Sequence, residues 1–181
     1  MDRLTFAATA ALEGNTLSGV AHAFGERTLM GFEYHEFARG AFDAALRTGD
    51  ARAFHNHDHN LLLGRQSSGT LRIRGEADGL HYEIDLPDTS YAADIKVLVA
   101  RRDLTEMSFG IMPGKTRVSR APDGRRVITH TSVESLNDIS TTPLPAFGKT
   151  SLQLHSADAQ GEPLKSQAIK ARQRARKRTL K

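Results

Sequence analysis

The chain has 181 residues, 39% of them hydrophobic, which suffices for one core and sets a single domain as the expectation. It contains no cysteine, so a disulfide framework, a thiolate metal site and a cysteine nucleophile are excluded. The formal charge of +4 is unevenly spread: residues 165–181 hold eight of the 25 Lys and Arg and no acid, leaving 17 basic against 21 acidic side chains elsewhere.

In chain order, Met1 to Leu12 carries Asp2 and Arg3 beside a short apolar stretch, and is not expected to act as a secretory signal. No apolar run is long enough to cross a bilayer, so a soluble protein without membrane contact is expected. Leu17 to Phe24 and Thr28 to Tyr34 have strand character around Gly25-Glu26. Glu36 to Arg47, with Phe37, Phe42, Ala45 and Leu46 near helical spacing, predicts a short helix ended by Gly49-Asp50. Thr70 to Arg74 and Leu80 to Leu86 alternate apolar and polar residues around Glu76-Ala77-Asp78-Gly79, a hairpin whose Gly is expected to supply a positive φ.

Pro87-Asp88-Thr89-Ser90 then offers capping residues for a second helix, whose apolar face is Ile95, Leu98 and Val99 and whose last turn holds Arg101-Arg102. Leu104 to Met112 predicts a strand, and Lys115 to Ser119 pairs with Arg125 to Thr131 around Ala121-Pro122-Asp123-Gly124. A last strand runs from Ser135 to Thr141. The breakers Gly161 and Pro163 and the change of charge divide the chain into a domain over 1–157 and a basic tail over 158–181, flexible or helical. Many short strands with two helices predict an α+β, mainly β fold: a closed or nearly closed antiparallel β-barrel flanked by a few helices.

The densest chemical feature is Ala53-Phe54-His55-Asn56-His57-Asp58-His59-Asn60, with three histidines and an aspartate in five residues. Histidine titrates nearest neutral pH, so the cluster points to proton transfer or metal binding. On a strand His55, His57 and His59 would share one face and Asp58 the other. The spacing of a two-metal HxHxDH loop is absent, as is an HExxH helix, and no cysteine completes a zinc site. No metal and no other cofactor is expected.

A nucleophilic mechanism needs a hydroxyl beside a His, and a third group that orients that His. Glu106-Met107-Ser108-Phe109-Gly110 places a Ser in an apolar strand next to a Gly, and Leu136-Asn137-Asp138-Ile139-Ser140 places a lone carboxylate in another. Both have a second explanation. A strand Ser is commonly satisfied by backbone, and Asp138 can cap a turn.

An ordered set of segments over roughly residues 17–151 resembles the prohead maturation proteases of tailed bacteriophages, whose fold is similar to that of herpesvirus assembly proteases. Glu33 to Asp43 resembles the family's E-x-F-x-x-G-A-F segment; Asn56-His57-Asp58 with Leu63-Gly64-Arg65 resembles its N-H-D … L-G-R block, followed by Ser68-Gly69-Thr70-Leu71. Gly79-Leu80 and Leu86-Pro87-Asp88-Thr89 also fit. Leu104 to Gly110 resembles L-T-x-M-S-F-G, and Leu136 to Ser140 with Pro145-Ala146-Phe147 resembles L-x-E-V-S … P-A-Y. The resemblance puts His57 at the catalytic His position, Ser108 at the nucleophile and Asp138 where the family commonly has Glu. Asp is one methylene shorter, and its reach to His57 is the point to be tested. Ile139 replaces Val, and His55 and His59 flank a position of varied residues.

The resemblance implies a serine endopeptidase acting through an acyl-enzyme in the immature capsid (prohead) within the host-cell cytoplasm. It would remove the scaffolding segment of the major capsid protein and cleave itself. It implies an oxyanion held by backbone N–H and an arginine-bound water, for which Arg65, Arg101 and Arg102 are the candidates. By analogy it also implies a homodimer or higher oligomer. Asp58 is expected to be structural. The basic tail is expected to dock on acidic scaffold or shell surfaces in preference to nucleic acid. The non-enzyme alternative is a non-catalytic capsid-assembly or scaffold-like protein with the same tail.

Overall fold

The computed structural model describes residues 8–13 and 15–143. Pro145-Ala146-Phe147 and the tail expected at 158–181 lie outside the described residues. The strands are β1 (Ala8–Glu13), β2 (Thr16–Ala23), β3 (Thr28–Met30), β4 (Glu33–Phe37), β5 (Arg52–His55), β6 (Asp58–Arg65), β7 (Leu71–Gly75) and β8 (Gly79–Asp85). They continue with β9 (Glu106–Pro113), β10 (Thr116–Arg120), β11 (Arg126–His130) and β12 (Val133–Thr142), and the helices are α1 (Asp43–Thr48) and α2 (Ser90–Arg101). The protein is mainly β with few helices, as the alternating segments predict. No helix among the described residues is long and apolar enough to cross a membrane.

Eight strands form one sheet in the order β6-β5-β12-β9-β1-β2-β8-β7, and four form a second in the order β10-β11-β4-β3. The expected antiparallel barrel needs correction on two counts. Two pairings are parallel: β12 with β5, and β11 with β4. No ladder joins the edge strands β6 and β7 among the described residues. Those edges do approach: Arg65 N–H donates to Thr70 Oγ1 at 3.0 Å, and a Cβ on Gly64 would lie 3.0 Å from the Thr70 carbonyl oxygen.

The segment expected as one strand over Thr28 to Tyr34 is a hairpin, split by Gly31-Phe32 with Gly31 at φ +61. Glycine at the first central position is the pattern of a type II′ turn. The helix expected from Glu36 begins only at Asp43, because Tyr34 to Phe37 pairs with Val127 to His130 and Gly40 (φ +77) turns the chain. Tertiary pairing overrides helical spacing here. In α2 the expected Ile95 and Val99 are buried together with Ala92, whereas Leu98 of the expected face is 37% exposed. The hairpins around 76–79 and 121–124 form as expected.

Strands β9 and β12 are neighbours near the middle of the large sheet. Met107, Phe109 and Ile111 of β9 alternate into the core, where Phe109 meets Phe37 and Phe42 with ring centroids 5.8 and 5.9 Å apart. Burying a side chain of this size contributes about 1.5–3 kcal/mol. The alternation leaves Ser108 and Gly110 on the opposite face. On β12, Leu136 and Ile139 both join the core although they are three positions apart, an odd spacing for one face of a strand. The register shift between Leu136 and Asp138 makes this fit: Leu136 pairs with Ile111 and Asp138 with Gly110, so Asn137 is the extra residue of a bulge.

Candidate active site

Three segments of the large sheet meet at one place. Asp138 and Ser140 lie on one face of β12, and the register sets Ser140 directly across from Ser108 of β9. The third segment is the tip of the β5–β6 hairpin. His55 pairs with Asp58, so Asn56 and His57 are its two-residue loop, at φ +52 and +56. Positive φ at both central positions is the type I′ pattern, which Asn favours and which places His57 in a conformation costing about 1–2 kcal/mol for an L-residue. The parallel β5–β12 pairing brings this tip to the C-terminal end of β12.

The turn is tied down there by three hydrogen bonds. Asn56 N–H donates to the Thr141 carbonyl at 2.6 Å, and Thr142 Oγ1 donates to Asn56 Oδ1 at 3.4 Å. His55 Nδ1 meets Thr141 Oγ1 at 2.7 Å. Held in this way, His57 bridges the other two strands: its Nδ1 lies 2.7 Å from Asp138 Oδ1 and its Nε2 lies 3.0 Å from Ser108 Oγ. An ionised carboxylate only accepts, so Nδ1 carries the ring proton and Nε2 is left to accept from the Ser108 hydroxyl. Asp138 Oδ1 also accepts from Ser140 Oγ at 2.8 Å.

Burial grades across the three groups. The Asp138 side chain is 4% exposed and that of His57 is 21% exposed, so the carboxylate is sealed and the imidazole reaches solvent. Ser108 is buried. The arrangement is a relay of acceptor, ring and hydroxyl in hydrogen-bond contact, the geometry that lets a base take a hydroxyl proton and a fixed carboxylate hold the resulting cation.

The sequence-predicted site residues Ser108, His57 and Asp138 are thus brought together, and the shorter Asp does reach the ring. The three histidines, in contrast, do not share a face. The turn breaks the expected strand at Asn56-His57, and each histidine has a separate neighbour: Thr141 for His55, Asp138 and Ser108 for His57, and the Phe54 ring at 4.9 Å for His59. Burial lowers the proton affinity of His55. Asp58 is structural: its carboxylate accepts from the Asn60 backbone N–H and side-chain amide at 2.9 Å each, and these bonds hold its pKa below the usual range. Of the arginine candidates, Arg65 is paired with Asp50 and Arg101 with Asp103. Arg102 caps α2 at φ +64.

Sequence reasoning missed the supports: the Asn56-His57 turn, the bonds from Thr141 and Thr142, and the bulge at Asn137. The Asn between two strand-like runs was the available signal for the turn.

A family model described as Caudovirus prohead serine protease matches residues 4–164. Neither the curated proteins nor the solved structures yield a match.

Proposed function

The chain belongs to the caudovirus prohead serine protease family, and from that premise we propose that Ser108, His57 and Asp138 are its catalytic triad. The observation that supports this reading is the pair of bonds in series through one imidazole, 2.7 Å to Asp138 and 3.0 Å to Ser108. His57 Nε2 accepts the Ser108 proton as Oγ attacks the scissile carbonyl, and then returns it to the leaving amine. Asp138 keeps the proton on Nδ1 and stabilises the imidazolium. Water next attacks the acyl-Ser108 ester, with His57 again as base, and the carboxylic product leaves.

The substrate in this reading is the scaffolding segment of the major capsid protein, cut inside the prohead in the host cell, together with the protease's own chain. The basic tail serves as a docking segment for acidic scaffold or shell surfaces. The domain of 1–157 acts as a homodimer or higher oligomer. A non-catalytic assembly protein has no need of the relay geometry and is the less favoured reading.

The test pairs the full chain with its cognate capsid protein. Wild type should process the capsid protein and take one fluorophosphonate label at Ser108, and Ser108→Ala and His57→Ala should do neither. Processing that survives Ser108→Ala overturns the triad.

A further inference from the structure

We infer that Ser140 is a positioning residue of this site, acting on the reaction only through Asp138; the inference rests on the triad reading above. Ser140 is fully buried on β12, two residues beyond Asp138 on the same face and opposite Ser108 in the β9–β12 register. Its hydroxyl therefore lies between two oxygen-bearing neighbours. It donates to Asp138 Oδ1 at 2.8 Å, leaving Ser108 as the hydroxyl within 3.0 Å of His57 Nε2. The two serines of the pair have separate tasks.

Asp138 needs such support for two reasons. The terminal torsion of an Asp is broad and roughly two-fold, so a contact with a ring that stands on a hairpin tip leaves the carboxylate plane poorly fixed. A second donor on the same strand fixes which oxygen faces His57 and in what direction. Asp138 also follows the Asn137 bulge, where the ladder is locally disrupted and backbone restraint is weaker. A carboxylate this buried requires hydrogen-bond donors to remain ionised, and the bond from Ser140 is of the charge-assisted class. The same Oδ1 takes both the His57 and the Ser140 bond, so loss of the hydroxyl acts directly on the atom that orients the imidazole.

The experiment is a double-mutant cycle in the full chain, read as the rate of fluorophosphonate labelling at Ser108 and as kcat and KM on capsid-derived peptide. Ser140→Ala should lower kcat and the labelling rate by about tenfold to a hundredfold, in line with a hydrogen bond to a charged group, with KM unchanged. Ser140→Thr keeps a donor and should recover most of the rate. In an Asp138→Ala background, Ser140→Ala should have no further effect, because the group it positions is gone. Ser140→Cys preserves size with a weak donor, and keeps the cycle readable should the alanine variant fail to fold. Losses that multiply with those of Asp138→Ala, or a kcat in Ser140→Ala and Ser140→Cys equal to wild type, overturn the inference. Full labelling in Ser108→Ala or Asp138→Ala overturns the triad instead, so the two failures are distinguishable.

Discussion

The Asn56 N–H donates to the Thr141 carbonyl at 2.6 Å, and this bond ties the turn that carries His57 to the strand that carries Asp138. The site is therefore positioned by a hairpin tip with two consecutive residues at positive φ, anchored on a neighbouring strand.

That anchoring predicts opposite outcomes for two small substitutions at one position. Asn56→Gly gives up the long 3.4 Å bond from Thr142, as Asn56→Ala also does. It should nevertheless fold and turn over close to wild type, because the backbone bond to Thr141 remains and glycine accepts φ +52 without strain. Asn56→Ala should lose about 1 kcal/mol of stability and several-fold in kcat, because its Cβ disfavours the left-handed conformation and the turn shifts His57. Urea unfolding midpoints and kcat of both variants check this. Equal behaviour of the alanine and glycine variants would show that the turn conformation does not matter.

At the other end of the relay, the 2.7 Å contact between His57 Nδ1 and Asp138 Oδ1 leaves no gap for a longer side chain to fill. Asp138→Asn should lower kcat by about 10³–10⁴-fold, since a neutral amide neither fixes the tautomer nor stabilises the imidazolium. Asp138→Glu should fall between wild type and Asn, because the added methylene displaces the carboxylate from Ser140 as well. Steady-state kinetics on capsid-derived peptide decide the order. A Glu variant faster than wild type would mean that the hairpin tip readily adapts to the carboxylate.

The hairpins around 76–79 and 121–124 were legible because alternation and turn residues agree over short range, and the three relay residues were legible as parts of recognisable segments. The helix expected over Glu36 to Arg47 forms only from Asp43, because Tyr34 to Phe37 finds a partner in Val127 to His130, about ninety positions away, which no local pattern records. The histidine run departs from its pattern in another way. Its alternation is genuine, but Asn56 and His57 take positive φ and break the strand that alternation implies. The bulge at Asn137 shows in the sequence only as the odd spacing of Leu136 and Ile139.

Gly79 illustrates a residue identified correctly for a mistaken reason. It is not among the residues at positive φ; its need is space, since a Cβ there would lie 2.4 Å from the His22 carbonyl oxygen and 2.9 Å from Val20 Cγ1. Gly79→Ala must push β8 away from β2 and should destabilise the fold by about 1–3 kcal/mol. Gly75→Ala on β7, whose nearest neighbour would be Asp43 Oδ1 at 3.8 Å, should stay within about 0.5 kcal/mol of wild type. Urea denaturation of the pair checks this. Equal midpoints would mean that the β2–β8 ladder yields at little cost.

Two buried histidines outside the relay make the fold sensitive to mild acid. His22 packs against Phe24, Phe37 and Phe109 with centroids 6.5, 5.0 and 6.1 Å away, and burial, with a smaller contribution from His130, pushes its pKa down to about 4. His130 stacks on Phe37 at 4.7 Å, places Nε2 3.0 Å from His35 Nδ1, and is likewise lowered to about 4, mainly by burial and then by His35. Both are neutral in the folded state at pH 6, whereas in the unfolded chain, where a histidine titrates near 6.5, they are already mostly protonated at that pH. Their contribution is thus fully present above about pH 6.5 and is lost as pH falls toward about 4. For the more deeply buried His22 the slope should approach about 1 kcal/mol per pH unit. Urea midpoints measured from pH 7.5 to 4.5 should fall steadily in wild type. His22→Phe keeps an aromatic ring in the same cluster and removes the titrating group, so its midpoint should fall less steeply over that interval. Parallel pH curves for wild type and His22→Phe would show that His22 is protonated in the folded state as readily as in the unfolded chain.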